Sequence, residues 1–425
     1  MQPWLFLGFA GLVGLSEVSL KNSEIWKSST HGVAALDSIY YPQPVGPTNQ
    51  LLEIGRLSFD STVKHGKEFR IKFTPTFQAD PLNYSASERY WSELPEGYLQ
   101  FQSLGFNIQA GYNTFTWGVT DGYNPLDVVS ARRYQDPLRQ EKLGAPSLSV
   151  KKDLENVSFE AIYIPLQRKS ILPGDHSRWL PRQVLTTTSI GNGTQTATLN
   201  LPPQLDYQYR EEQVRDHALE NNFGLRMQVA GLFEGLDVSL QGFEGAANTP
   251  AVDIGASGSL VQFQPRLIIR ADPQVYLTPV YYRQRVYGAS LVYAFSGMIF
   301  KSEFAITRLI SRGQDLLGNA EEFIAGFERP IPVWGHDLTL VVQGTVVKHS
   351  VPVTNAATSL NRIFDQAFLG GLRYPLTDAL TLMASGLWDT QFHEGYAHLE
   401  STYNLTDALK VGLAGDTLWG SSETP

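Results

Sequence analysis

Residues 379–405 read ALTLMASGLWDTQFHEGYAHLESTYNL. In the first half every second residue is apolar or small: Leu380, Leu382, Ala384, Gly386 and Trp388. Thr381, Met383, Ser385 and Asp389 stand between them. A period of two is that of a β-strand with two unlike faces. The second half repeats the pattern, with Ala397, Leu399, Ser401, Tyr403 and Leu405 set against His398, Glu400, Thr402 and Asn404. The motif LTDAL occurs at 376–380 and again at 405–409. The repeat distance is that of one up-and-down hairpin: two strands, a tight turn and a loop. Thr and Asp suit the tight turn because their side chains bond nearby backbone. Each strand has the roughly 9–11 residues that a tilted strand needs to cross a bilayer.

The same grammar runs upstream. KEFRIKFTPTF (67–77) sets Phe69, Ile71 and Phe73 against Arg70 and Lys72. VSFEAIYIPL (157–166), NFGLRMQVAGLF (222–233), MIFKSEFAITRL (298–309) and LTLVVQGTVVKH (338–349) alternate likewise. Tight turns at one end of these strands alternate with long connections at the other. The longest are 119–146, 167–221 and 247–285. Soluble β-sandwiches do not segregate their connections in this way, and their strands are shorter. In lipid a closed barrel is the only β solution, because every backbone polar group must be paired internally. The expected fold is therefore all-β: an up-and-down antiparallel transmembrane β-barrel of 16–18 strands. Counting from Leu51 to Trp419 and adding SLKNSEIWKSS (19–29) gives an odd number. Bacterial barrels have even numbers, so a last strand after GSSETP is expected to be missing.

Composition agrees. A net charge of −9 without any Lys/Arg run argues against a nucleic-acid partner. The absence of Cys fits passage through an oxidising periplasm. PWLFLGFAGLVGL (3–15) has the length of a signal-peptide core, and Gly14-Leu15-Ser16 resembles a cleavage site, although no Lys or Arg precedes Lys21. The expected organisation is a signal peptide over 1–16 and a single barrel over 17–425. The expected location is the bacterial outer membrane, with lipid and lipopolysaccharide outside the wall and a transported solute inside it. Oligomeric state is not written in the sequence.

The stretch 98–148 carries Trp117-Gly118, then Asp121-Gly122, Asn124-Pro125 and Asp127, then Arg132, Arg133 and Asp136-Pro137-Leu138. With SRWLP (177–181) and PVYYRQRVYGASL (279–291), it resembles a family of Gram-negative outer-membrane barrels of unassigned function. That family is distantly similar to the alginate-export porins. The resemblance implies an outer-membrane channel for hydrophobic or carbohydrate cargo and names no substrate.

The candidate site residues follow from the two faces and the first long loop. Arg70, Lys72, Glu160, Lys301, Glu303, Asp389, His398 and Glu400 fall on the polar face and are expected to line the lumen. There they either meet solute or brace the wall by ion pairs. In the loop 119–146, Asp121 precedes two turn-forming Pro motifs, Asn124 and Asp136 open them, and Asp127, Arg132 and Arg133 lie between them. Folded inward, they would form a charged constriction; left outside, a self-paired surface loop. Asp121, Asn124 and Asp127 lack the dense spacing of a Ca²⁺ loop, so no metal or cofactor is expected. In 167–221, YREEQVRDHALENN has Glu211 and Arg215 at helical i,i+4 spacing, suiting a short helix that caps or plugs the pore, the alternative being a mobile surface loop. HEGYAH (393–398) is one residue too long for a zinc-protease helix, and no G-x-S-x-G elbow occurs. No enzyme is expected. The function is expected to be a porin-like channel with a charged lumen. The alternative is a structural or adhesive barrel whose long loops bind an external partner.

Overall fold

The computed structural model describes residues 4–20, 26–43, 48–180, 187–191, 196–200, 205–262, 267–310, 318–350, 365–391 and 393–420. The main sheet has 20 segments, and two pairs of these are halves of one interrupted strand, so eighteen strands stand side by side among the described residues. In chain order they are Trp4–Leu20, Trp26–Tyr40, Leu51–His65, Phe69–Phe73 continued by Thr76–Ala79, Tyr90–Glu93 continued by Gly97–Ser103, Phe106–Asn113, Ala145–Leu154, Val157–Leu166, Glu220–Phe233 and Leu236–Ala246. Then follow Arg283–Phe295, Met298–Leu309, Ala320–Val333, His336–His349, Gln366–Pro375, Leu380–Asp389, Glu394–Asn404 and Leu409–Trp419. Each is antiparallel to the next. Trp4–Leu20 pairs with Trp26–Tyr40 on one side and with Leu409–Trp419 on the other, so the ladder returns to its start.

Two expectations meet this ring. The strand count expected a gap after the last strand; here the eighteenth place is held by Trp4–Leu20. Most of the segment read as a signal peptide lies in that same strand.

The interruptions have local causes. Pro75 has no N–H to give the ladder, but its carbonyl still accepts from Phe59 N at 3.0 Å. On the next strand Glu93 stands opposite Thr76 while Gly97 stands opposite Phe73. Four steps against three make a bulge over Leu94-Pro95-Glu96, and Glu96 O closes it by accepting from Thr74 N at 2.8 Å.

Among the described residues, the two-residue turns of the ring all lie at one end. Leu104-Gly105, Ser296-Gly297 and Trp334-Gly335 have positive φ at both central residues. That is the type I′ geometry matching the twist of paired strands. The two LTDAL copies close identically. Thr377 Oγ1 accepts from Ala379 N and Leu380 N, and Thr406 Oγ1 accepts from Ala408 N and Leu409 N. Thr, rather than Asp, supplies the capping oxygen.

The faces of the ring differ as a membrane wall requires. Leu225, Phe368, Leu399 and Leu413 are more than half exposed on the outer face, Leu225 at 66%. Register carries the alternation around the ring: Met383 stands opposite Glu400, and His398 opposite Asp416, on the inner face.

A second sheet lies off this ring. Ala251–Gln262 pairs antiparallel with Leu267–Tyr281, and Thr196–Asn200, Asp206–Tyr209 and Gln213–Val214 lie parallel to the latter. The expected helix at 209–222 is not formed. Those residues contribute strand pieces and a turn in which Ala218 N bonds Arg215 O at 2.9 Å. Pairing with Leu267–Tyr281 satisfies the backbone that the helix would have satisfied internally.

Candidate functional site

After Phe106–Asn113 the chain bends into the ring. Trp117 is 1% exposed and packs with Phe115, Val129, Ile162, Ile164 and Phe243. Its Nε1 donates to Glu160 Oε2 at 3.2 Å. Gly118 follows at φ +93°, and a Cβ there would lie 2.1 Å from Asn124 Oδ1. Only glycine permits this bend. Leu126 is fully buried against Val286 and Ala305. Ile162, Phe243, Val286 and Ala305 belong to the inner face of the wall, so the loop lies inside the barrel.

The loop tip is held by polar groups on three strands. Glu303 Oε1 accepts from Val119 N, Thr120 N and Thr120 Oγ1. Lys301 Nζ donates to both carboxylate oxygens of Asp121 at 2.9 Å and to Glu328 Oε2 at 3.1 Å. Gln343 donates from Nε2 to Asp121 Oδ2 and accepts from Gly122 N, each at 3.0 Å. Tyr123 OH donates to Glu322 Oε2 at 2.6 Å. Burial beside that carboxylate pushes the Tyr123 phenol well above its usual range.

The two Pro motifs shape the body of the loop in the same way. Asn124 Oδ1 accepts from Leu126 N, and Asn124 O from Asp127 N. Asp136 Oδ1 accepts from Leu138 N, and Asp136 O from Arg139 N. In each, the side chain caps a turn whose second residue is Pro, with φ already set. Between them Arg132–Arg133 pairs with Glu141–Lys142. Asp127, 6% exposed, takes both Arg132 Nη2 at 2.5 Å and Lys142 Nζ at 2.7 Å. Arg133 turns to the opposite wall, where Nη1 bonds Gln78 at 3.1 Å and the guanidinium lies 4.3 Å from the Trp91 ring centre. Glu141 joins it at 3.3 Å and takes Arg56 of that wall at 2.8 Å. The loop thus spans the lumen, from Glu303 and Gln343 on one side to Arg56 and Gln78 on the other.

A cavity of about 100 Å³ remains where the loop meets this second wall. Arg56, Asp80, Arg133, Asp136, Arg139 and Arg178 are among the groups lining it. Burial lowers Arg133 and Arg178 and raises Asp80 and Asp136 from their ordinary values; Arg139 partly opposes the rise at Asp136.

The candidate residues therefore divide into groups. Asp121, Lys301 and Glu303 meet at the loop tip; Asp127, Arg132 and Arg133 organise its body; Glu160 holds Trp117 and lies 3.9 Å from Arg226 Nε. Asn124 and Asp136 make turns. Asp121, Asn124 and Asp127 do not converge, since Lys301 and Arg132 neutralise the two carboxylates. Away from the loop, Lys72 bonds Glu96 at 2.6 Å. Asp389 accepts from Gln391 N at 2.8 Å. His398 Nδ1 lies 2.7 Å from Asp416 Oδ1, with Glu400 beyond its other nitrogen at 3.4 Å. Arg70 has no ion pair among those described. Sequence reasoning missed Glu322, Gln343 and Arg56, which hold the loop. Only their place on the polar side of the alternation signals them.

No family model matches the sequence, and no curated protein matches it. Solved structures of similar outline include OmpF of Salmonella typhi in complex with daunomycin, at 10% identity over 98% of this chain and 97% of that chain, with a TM-score of 0.40. A Rhodopseudomonas blastica porin mutant gives 8% identity over 98% and 100%, with a TM-score of 0.41. OccD3 of Pseudomonas aeruginosa gives 12% over 98% and 91%, with a TM-score of 0.39. The fold rests on the strand pairing above, not on these likenesses.

Proposed function

We propose that this protein is an outer-membrane channel of porin type, and that residues 115–143 form its constriction. The observation that carries the reading is the loop bound to both walls inside a ring whose outer face is apolar. An outer face of Leu and Phe belongs in lipid. Charged groups on the inner face belong around water. A loop pinned by Glu303, Gln343, Arg56 and Gln78 narrows the passage without sealing the wall facing it, where Lys72, His398 and Glu400 line the free side. Charges there act across a short, partly desolvated path, so they influence a permeating solute more than surface charges do.

The test is reconstitution into planar bilayers. Discrete, ohmic conductance steps are expected from heat-resistant, folded protein. A folded barrel that passes no current over a wide voltage range would remove the channel reading.

A further inference from the structure

Five cations line the inner face at the tight-turn mouth, four of them on strands that the loop tip does not touch and Arg373 on the strand whose Leu369 packs against Gly122. Lys27, Lys64, Arg70, Arg373 and Lys410 each lie within two residues of the tight-turn end of their strands. Three stand in one row. Lys27 is directly opposite Lys64, and Lys64 is directly opposite Arg70. Their facing follows from the register. Lys64 shares its strand face with Arg56, which reaches the loop, and Arg70 shares its face with Lys72, which bonds Glu96 at 2.6 Å. The outward positions beside them are taken by Trp26, His65 and Phe69, and the Trp26 and His65 rings meet at a tilt with centres 4.3 Å apart.

None of the five has a carboxylate partner among the described residues. Elsewhere on the inner wall such charges are paired: Lys72 with Glu96 and Asp60, Lys301 with Asp121 and Glu328, and Arg226 near Glu160. Like charges directly opposite across a strand pair are destabilising. A wall that elsewhere pairs its cations here leaves three side by side, about 4.8 Å from strand to strand. Such a row suits a ligand bearing several negative oxygens at similar spacing.

We propose that Lys27, Lys64 and Arg70, flanked by Arg373 and Lys410, form a capture site for multiply anionic solutes, carboxylate or phosphate, at the tight-turn mouth of the lumen. This names the substrate class of the proposed channel and rests on that reading. The site raises the local concentration of anions at the mouth, as a charged cleft does. Its cations lie in open water, so they release the solute readily to the passage beyond.

The experiment uses the full chain, folded in detergent and in bilayers, with citrate as probe. The triple variant Lys27→Gln, Lys64→Gln, Arg70→Gln is compared with the parent and with Lys152→Gln, whose residue faces outward over Phe106. Folding is checked by heat resistance in gels. Calorimetry at about 20 mM salt should show citrate binding that is roughly tenfold weaker in the triple variant, the order expected for three exposed charge contacts, and unchanged in Lys152→Gln. In bilayers under a salt gradient, the reversal potential of the parent should indicate anion preference, reduced in the triple variant. The difference should fade near 1 M salt, where screening acts within about 3 Å. Equal citrate affinity in parent and triple variant overturns the proposal, as does a cation-preferring parent. Calorimetry does not need current, so a sealed barrel that still binds citrate would end the channel reading alone.

Discussion

Glu303 is the residue on which the interior loop most depends. It is fully buried on the inner wall and receives two backbone N–H groups and one hydroxyl from Val119 and Thr120. Hydrogen bonds to a charged acceptor contribute about 1.5–3 kcal/mol each. Glu303→Ala removes all three and leaves two backbone donors without their acceptor. The expected outcome is a loosened tip. Single-channel traces should become noisier with a larger mean step, and trypsin should gain access near Arg132 and Arg133. Traces indistinguishable from the parent would mean that the other anchors suffice. Gly118→Ala should act from the other side of the same bend. It places a Cβ at φ +93° against Asn124, and its cost is expected to be about 1–3 kcal/mol, read as a lower midpoint in urea unfolding.

At the scale of the element, the loop 115–143 shows what the sequence made legible. The Asn124-Pro125 and Asp136-Pro137 pairs announced two rigid bends, and both are capped turns. The landing points were not legible. Ile162, Phe243, Glu322 and Gln343 lie far along the chain, and an alternating strand reads the same whether its inner face meets water or a loop. The short helix expected at 209–222 failed for a related reason. An i,i+4 pair contributes a few tenths of a kcal/mol, less than a neighbouring strand offers. Arg132 and Arg133, adjacent in sequence, turn out to serve different ends: one closes on Asp127 within the loop, and the other docks on Trp91 and Gln78. Arg133→Ala should therefore alter ion selectivity and loop docking together, whereas Arg132→Ala should mainly loosen the loop's internal turn. Reversal potentials of the two single variants would show the difference.

The loop also carries a pH dependence. Burial raises Asp80 and Asp136 beside the cavity. A raised carboxyl binds its proton more tightly folded than unfolded. Its contribution to stability is thus present below the unfolded value, near pH 4, and is lost as pH rises through the folded value. Lowering the pH from 7 protonates these groups before exposed carboxylates, leaving Arg139 and Arg178 less opposed. Selectivity should shift toward anions on acidification, and Asp136→Asn should shift it at neutral pH already. An equal response to acid in parent and variant would place the titration elsewhere.

Across the whole molecule the decisive quantity is facing. The alternation in 379–405 separates Leu382 and Leu399 from Met383, His398 and Glu400, and the register agrees: Leu382 stands opposite Ser401 on the outer side and Met383 opposite Glu400 on the inner. The end-to-end count was harder to read, because an apolar N-terminal run suits a signal peptide and a wall strand alike. Facing can be tested without the interior loop. Leu399 is 65% exposed on the outer face of a wall otherwise covered by lipid. Leu399→Arg should cost roughly 2–4 kcal/mol if that position lies near the midplane, and less toward an interface. The partner measurement uses spin labels at 382 and 383. The label at 382 should collide with oxygen dissolved in lipid, and the label at 383 with a water-soluble relaxer. A one-residue slip would exchange the two signals, since it turns every side chain to the other face. Exchanged signals together with a harmless Leu399→Arg would mean that the assigned wall is inside out. The inward placement of Glu303, the loop anchors and the basic row would then fall with it.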